Sequence, residues 1–354
     1  MKILTYFPYC RSALLAAEKR KIKDIQQLMI KGKKISRKEI AEAAGVSDAM
    51  VSYALSDTSK VKIKAETRER IRRIAEEKGY MPNFIGRALV NRQSYNIGLL
   101  MPAKCVSAIS LHYLYMLHGL SNAINDTEYC LSTFFGANDK YYHKIMEGRV
   151  DGIVIMDSGF DKSYVEKTIN IGLPTVIMNL DYDIKDFSKT ACIRPDHEKL
   201  ISVAFDYFMS HNCKKILYIN NPSLCSPAMM LYEAFNMECG KYASQGVLGT
   251  TIAPAENFSQ QIENIFKSGQ KWDAFLVNGN IYNIELYKIA EKLGLIPEKD
   301  FKVFTSHSCK NEPCKGPLYV HASEKIGKMA WEILYSMLNE KGKGKKILIP
   351  YEKI

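Results

Sequence analysis

No apolar run in this 354-residue chain approaches the roughly 18–20 residues that a bilayer-spanning helix needs. The opening stretch, Met1 to Arg11, begins like a weak signal peptide. Arg11 interrupts its apolar core early and no clean small-x-small site follows, so secretion is not expected. A disulfide framework is missing too. The nine cysteines are an odd number scattered through apolar segments and loops, which predicts reduced thiols in the cytoplasm. Signatures of catalysis are also absent: there is no G-x-S-x-G, no G-x-x-x-x-G-K-[ST] and no H-E-x-x-H. His118, His197 and His211 stand without obvious partners, so neither a catalytic site nor a cofactor is expected. Finally, residues 93–354 lack net charge, with 28 Lys+Arg against 28 Asp+Glu.

The positive charge of the chain lies at its front. Residues 1–92 hold 21 Lys+Arg against 10 Asp+Glu, which accounts for the whole net charge of +11. A basic head on a neutral body points to a polyanionic partner for the head. Within it, Ser36 followed three residues later by Glu39 is a capping box that starts a helix. Ile40, Ala41 and Ala44 fall on one face of that helix, and Gly45 supplies a tight turn. Ser47 caps a second helix from Asp48 to about Leu55, with Val51, Ala54 and Leu55 inward and Asp48, Ala49, Ser52 and Tyr53 outward. A third helix, about Ala65 to Lys78, buries Ile71, Ile74 and Ala75, exposes Arg68, Arg70, Arg72 and Arg73, and ends at Gly79. Two helices about a glycine turn, with a third behind them, is the layout that lowers a helix into the major groove.

Residues 35–101 resemble the DNA-binding and hinge region of the lactose-repressor (LacI/GalR) family. The matching residues are Glu39-Ile40-Ala41, Ala44-Gly45-Val46-Ser47, Val51-Ser52, Thr67-Arg68, Gly79-Tyr80-Met81-Pro82-Asn83, Arg87-Ala88-Leu89 and Ile97-Gly98. The resemblance implies that Asp48, Ala49 and Tyr53 sit where the family reads bases. It places Ser47 and Ser52 at phosphates, and Ser36 is expected among the DNA-binding residues. Tyr53 stands where the family commonly has arginine, and a phenol cannot make arginine's paired bonds to guanine, so a non-standard half-site is expected. Asp48 would accept from a cytosine amino group and Ala49 would touch a thymine methyl. The loop Asp57–Lys62 is about two residues longer than usual, and Lys60, Lys62 and Lys64 load it with charge that suits phosphates. Asn83 to Leu89 match the family's hinge helix, with Asn83 and Arg87 on DNA and Leu89 as the wedge between base pairs in the minor groove. Gly86 weakens that helix, so it is expected to fold less readily off DNA.

The body alternates short apolar strands with helix-period stretches, which predicts parallel sheets wound with helices. Strands are expected at 96–101, 130–135, 152–156, 174–180, 215–219, 274–278 and 302–305. Helices are expected near 111–124, 163–171, 197–210, 231–242, 259–266, 284–293 and 324–339. The resemblance implies a two-lobed periplasmic-binding-protein-like (type I) effector domain, hinged near Arg194–Pro195 and Pro317–His321, with a ligand cleft. The expected fold class is thus an N-terminal all-α helix-turn-helix domain plus this α/β domain. Its expected boundaries are 1–34 an extension, 35–80 the helix-turn-helix, 81–92 the hinge helix and 93–354 the effector and dimerisation domain. For residues 1–34 two readings stay open: a further amphipathic helix over Ala13–Lys31, or a start of translation at Met29.

Arg149-Val150-Asp151-Gly152-Ile153-Val154 and Gly172-Leu173-Pro174-Thr175-Val176 match the family well. The positions that grip sugars do not. The family's Asn-Pro-Phe-Phe stretch corresponds to Ser110-Leu111-His112-Tyr113, its effector arginine falls at about Leu231 and its cleft aspartate at about Ser306. Without that charged pair a standard monosaccharide is not expected. His112, Tyr113, Asn278, Asn280, Ser306 and His307 are the candidates for a different small-molecule pocket. His307, Cys309, Cys314 and His321 have spacing that zinc could use, but a single loose group favours free thiols, and no metal site is expected.

Three function classes follow. The first is a regulator, in most cases a repressor, bound as a homodimer or tetramer to a palindromic double-stranded DNA operator and modulated by a small-molecule effector. A variant of it keeps the body only as a dimer clamp. The others are an enzyme with a nucleic-acid appendage, opposed by the missing catalytic motifs and the unpartnered histidines, and a solute receptor, opposed by the missing signal sequence and the basic head.

Overall fold

The computed structural model describes residues 35–55, 61–81, 83–102, 111–156, 160–180, 182–221, 226–307, 314–339 and 342–354. The chain divides after Asn91 into two compact units. In the first, α1 (Arg37–Ala44), α2 (Asp48–Leu55) and α3 (Ala65–Glu77) enclose a small core of Ile40, Ala41, Ala44, Val51, Ala54, Ile71 and Ala75. α4 (Phe84–Asn91) follows and buries none of its residues. The third helix ends as expected, with Gly79 at φ 63° and the Tyr80 N–H bonded to Ala75 O at 2.8 Å. Four side chains sit shallower or deeper than their helical spacing implied: Leu55, Ile74, Ser52 and Arg68 are all half-buried.

The second unit contains two six-stranded sheets. β1 (Asn96–Met101), β2 (Cys130–Phe135), β3 (Gly152–Met156), β4 (Thr175–Met178) and β5 (Thr190–Pro195) build the first sheet with β11 (Lys346–Ile349), in the order β11-β5-β4-β3-β1-β2 and parallel throughout. β6 (Lys215–Ile219), β7 (Leu248–Ile252), β8 (Ala274–Asn278), β9 (Lys302–His307) and β10 (Leu318–Val320) build the second, with β12 (Glu352–Lys353) antiparallel on β10. The helices are α5 (Leu111–Asn125), α6 (Asp139–Met146), α7 (Lys162–Ile169), α8 (His197–Ser210), α9 (Ser226–Tyr242), α10 (Phe258–Lys267), α11 (Asn280–Lys292) and α12 (Ser323–Asn339).

The central strands β6 and β8 of the second sheet are apolar without a break over Ile216–Ile219 and Ala274–Val277 because both of their faces are covered. Ile216 and Tyr218 join one core with Phe205, Phe235 and Phe304, while Leu217 and Ile219 join the other with Phe275, Val277 and Val303. The backbones of α5 and α12 touch through glycines. A Cβ on Gly119 would collide with Glu324 O, and one on Gly327 with Met116 O.

Chain crossings between the sheets differ from the expectation in number. Arg194–Pro195 ends β5 before the chain enters α8, and His321 lies between β10 and α12, as the expected hinges require. A third crossing at Pro350–Tyr351, between β11 and β12, was not foreseen. β5, β7, β10, β11, β12 and α6 are additions to the expected elements. They are short or carry lysine and threonine among the apolar residues, which blurs their periodicity. No helix among the described residues is long and apolar enough to cross a membrane.

Candidate nucleic-acid interface and ligand-binding edge

The helix-turn-helix is built by local bonds that the sequence dictates. The Ser36 N–H donates to Glu39 Oε2 at 2.7 Å and the Glu39 N–H donates to Ser36 Oγ at 3.3 Å, closing the capping box. Gly45 adopts φ 61°, and the Val46 N–H reaches back to Ala41 O at 3.0 Å. Ser47 Oγ accepts from the Met50 N–H at 3.2 Å and so starts α2. Ser36 and Ser47 therefore act first as caps, though both remain exposed.

Asp48, Ala49 and Tyr53 are exposed on α2, with Tyr53 at 42%. Asp48 does not stand alone, as the reading of it as a cytosine acceptor assumed. Its Oδ2 takes Arg37 Nε at 2.8 Å and Arg37 Nη2 at 2.5 Å. The bond to Arg37 holds the Asp48 carboxyl below the usual carboxylate range. Arg37 was missed because its partner is eleven residues away and only the helix packing joins them. Lys62 and Lys64 are exposed, and Lys60 lies outside the described residues, as does most of the long loop.

In α4, Asn83 Oδ1 accepts from the Ile85 N–H at 3.0 Å and the Gly86 N–H at 3.4 Å, so Asn83 is the cap of this helix. The exposed Arg87 guanidinium lies 5.6 Å from the centre of the Phe84 ring. Ile85, Leu89 and Val90 are exposed at 76, 79 and 81%, an apolar surface on a short helix that no described residue of this chain covers.

Polar residues gather at the carboxyl ends of both parallel sheets, the usual position for ligand contacts in α/β folds. Asn179 follows β4 and Asn220 follows β6, while Asn278 ends β8 and Ser306 lies near the end of β9. Asn278 Nδ2 donates to Asn220 Oδ1 at 3.3 Å, Ser306 Oγ donates to Asn278 Oδ1 at 3.3 Å, and Asn220 Nδ2 holds Ala228 O at 2.8 Å. On the first sheet, His112 is buried with Nδ1 2.6 Å from Ser323 Oγ and Nε2 3.0 Å from Asn179 Oδ1. Asn179 Nδ2 also reaches Tyr113 Oη at 3.4 Å. The candidates thus form two sets, His112 with Tyr113 and Asn278 with Ser306. The side chains of Asn280 and His307 lie outside the described residues. Leu231, at the place of the family's arginine, is buried in an apolar core of the second sheet.

The three crossings meet in a line of rings. His321 lies 4.4 Å, centroid to centroid, from His112 on α5 and 4.6 Å from Tyr351. Tyr351 Oη is 2.8 Å from Nδ1 of His197, the first residue of α8. Burial pushes the His112 imidazole down to about 4. Burial, with the Arg194 charge nearby, pushes His197 down to about 3. Both are therefore neutral at pH 7. Arg194 is buried but compensated, with Nη1 and Nη2 on the Glu198 carboxylate at 2.9 and 2.8 Å. None of these hinge contacts was foreseen except the candidacy of His112. Of the four residues with zinc-compatible spacing, Cys309 and the side chain of His307 lie outside the described residues, Cys314 Sγ faces Asn283, Tyr287 and Thr305, and His321 stacks in the hinge. No group of three or more metal-ligating side chains occurs among the described residues.

Comparison with known proteins agrees with this architecture. The family model "Bacterial regulatory proteins, lacI family" matches residues 37–83. The chain is 29% identical over 187 residues to the probable transcriptional repressor ExuR of Bacillus subtilis, a match covering 52% of this chain and 54% of ExuR. It spans about half the length of ExuR and of the regulator MalR of Streptococcus pneumoniae. A weaker match runs further: the repressor PurR of Pasteurella multocida is 22% identical over 324 residues, covering 88% of this chain and 94% of PurR. Among solved structures, the lac repressor dimer bound to operator and the anti-inducer ONPF has a TM-score of 0.72 at 16% identity, covering 91% of this chain and 98% of that one. That likeness shows the fold. Residues 37–83 thus match the lacI family of bacterial regulatory proteins, and the chain as a whole shares the fold of the lac repressor.

Proposed function

We propose that this protein is a DNA-binding transcriptional repressor that grips a palindromic operator as a pair of chains. The observation that carries the reading is the sequence of surfaces along residues 35–91. A capped recognition helix presents Asp48, Ala49 and Tyr53, and a short helix then exposes Ile85, Leu89 and Val90. α2 would lie in the major groove, with Ser36, Ser47, Ser52, Lys62 and Lys64 at or near phosphates. α4 would enter the minor groove, where Leu89 from each chain wedges between base pairs and Asn83 and Arg87 hold the backbone. Residues 92–354 would pair the chains and take a small-molecule effector at the carboxyl ends of the sheets. With Leu231 and Ser306 in place of a charged pair, that effector would be one gripped by neutral hydrogen-bonding groups. The internal bonding of His112, Asn278 and Ser306 favours a second reading of the body, as a clamp that needs no ligand.

Deletion of residues 1–92 tests the assignment. The full chain should bind duplex DNA in a salt-dependent manner, and the remaining body should not bind at all. Equal binding by the two would overturn it. A thermal-shift screen with neutral and charged metabolites separates the two readings of the body: a stabilising neutral compound supports the effector, and a flat response supports the clamp.

A further inference from the structure

The ion pair between the first and second helices of the head sets a geometry that neither helix has alone. Arg37 is the first residue of α1 and Asp48 the first residue of α2. Both side chains are about half exposed, at 48 and 46%, so the pair lies on the surface rather than in the core. Arg37 Nε and Nη2 both point at Asp48 Oδ2, at 2.8 and 2.5 Å. A guanidinium carries five N–H groups in one plane. With the Nε–Nη2 edge turned to the carboxylate, the Nη1–Nη2 edge remains, and its two parallel N–H groups point away from Asp48. That edge matches the O6 and N7 acceptors of guanine in the major groove. An exposed ion pair of this kind adds little to stability. Its physical effect is to hold a long, rotamer-rich side chain in one orientation before DNA arrives.

We propose that Arg37 and Asp48 act as one reading unit, in which Asp48 orients the Arg37 guanidinium for paired hydrogen bonds to a guanine in each half-site. Asp48 is then a positioning residue, and the base it was expected to read directly is read through Arg37. The unit would also supply the guanine contact that Tyr53, as a phenol, cannot make. This inference rests on the DNA-binding reading above, and it adds a residue and a base identity to it.

The test is selection of double-stranded oligonucleotides from a randomised pool by the purified full chain and by R37A, R37K and D48A. Each variant is checked for an unchanged melting temperature, as expected for exposed positions. The wild type should fix a guanine at one symmetric position of each half-site. R37A should lower that preference by roughly ten- to a hundredfold while other positions keep theirs. R37K retains the charge without the planar fork, so it should lose the guanine preference and keep the salt dependence of binding. D48A should weaken preference at the same position and at no other. Unchanged guanine selection by R37A or R37K would overturn the unit while leaving DNA binding standing. Loss of a cytosine preference at a separate position in D48A would also overturn it, since Asp48 would then read a base by itself. If the wild type enriches no sequence at all, the DNA-binding reading and this unit both fail.

Discussion

The head and the body of this protein use polar side chains in opposite ways. On the head, Asp48, Ala49, Tyr53, Lys62 and Lys64 are exposed on helices whose core is a handful of small apolar residues. In the body, the polar groups of greatest consequence are buried and bonded to one another: His112 to Ser323 and Asn179, His197 to Tyr351, Arg194 to Glu198. Exposed groups are available to a partner and contribute little to stability. Buried, satisfied groups fix which way two layers can face, and removing one partner leaves the other unpaired at a cost of about 1–3 kcal/mol. Substitutions in the head should therefore change what is bound, and substitutions in the body should change how firmly the molecule holds together.

The sharpest way to break that contrast lies in the body. In Gly327→Ala, the new methyl meets the Met116 carbonyl of α5, and helices in direct backbone contact must separate. The expected loss is about 2–3 kcal/mol of stability, read as a lowered melting temperature with unchanged affinity of the surviving folded protein for DNA. Acid should act on the same region. His112, held near 4, and His197, held near 3, have folded values below the 6.5 of an ordinary imidazole. The unfolded chain therefore takes up protons first as pH falls. Stability is complete above about 6.5 and declines from there toward 4, with each histidine contributing a loss of about 2 kcal/mol by pH 5. Melting curves from pH 7.5 to 4.5 at constant ionic strength check this, and His112→Gln should flatten the slope by about one proton. In the head, Leu89→Ala should leave the melting temperature unchanged, weaken operator binding by about tenfold or more, and weaken random-duplex binding far less. Equal loss on both would remove the wedge. The smallest effect is expected for K62A with K64A. If each lysine neutralises one phosphate, the slope of log K against log salt should fall by about 1.8, and an unchanged slope places both off the backbone.

The helix-turn-helix was legible because its signals are local. Ser36 with Glu39, Gly45 and Ser47 each act within five residues, so spacing alone carries them. The inner strands of the body, such as β1, β3, β4, β6 and β8, were legible as apolar runs because both of their faces are covered. What stayed hidden depends on distant parts of the chain. Arg37 meets Asp48 only after α1 and α2 pack, and His112, His321, Tyr351 and His197 converge from four separate segments. The third crossing at Pro350–Tyr351 follows from the pairing of β11 and β12 with different sheets, which a four-residue and a two-residue strand do not announce. His112 was singled out as a pocket residue by its place in the family's pattern, yet both of its ring nitrogens are occupied inside the protein.

The central claim is that two chains hold two half-sites at once, with a leucine pair at the centre. The measurement that tests it most directly is affinity for the selected duplex compared with one carrying five extra base pairs between the half-sites, which turns one half-site about half a helical turn away. Two chains per duplex are expected on the first, and a loss of roughly a hundredfold or more in affinity on the second. Equal affinity for both, or one chain per duplex, would contradict it.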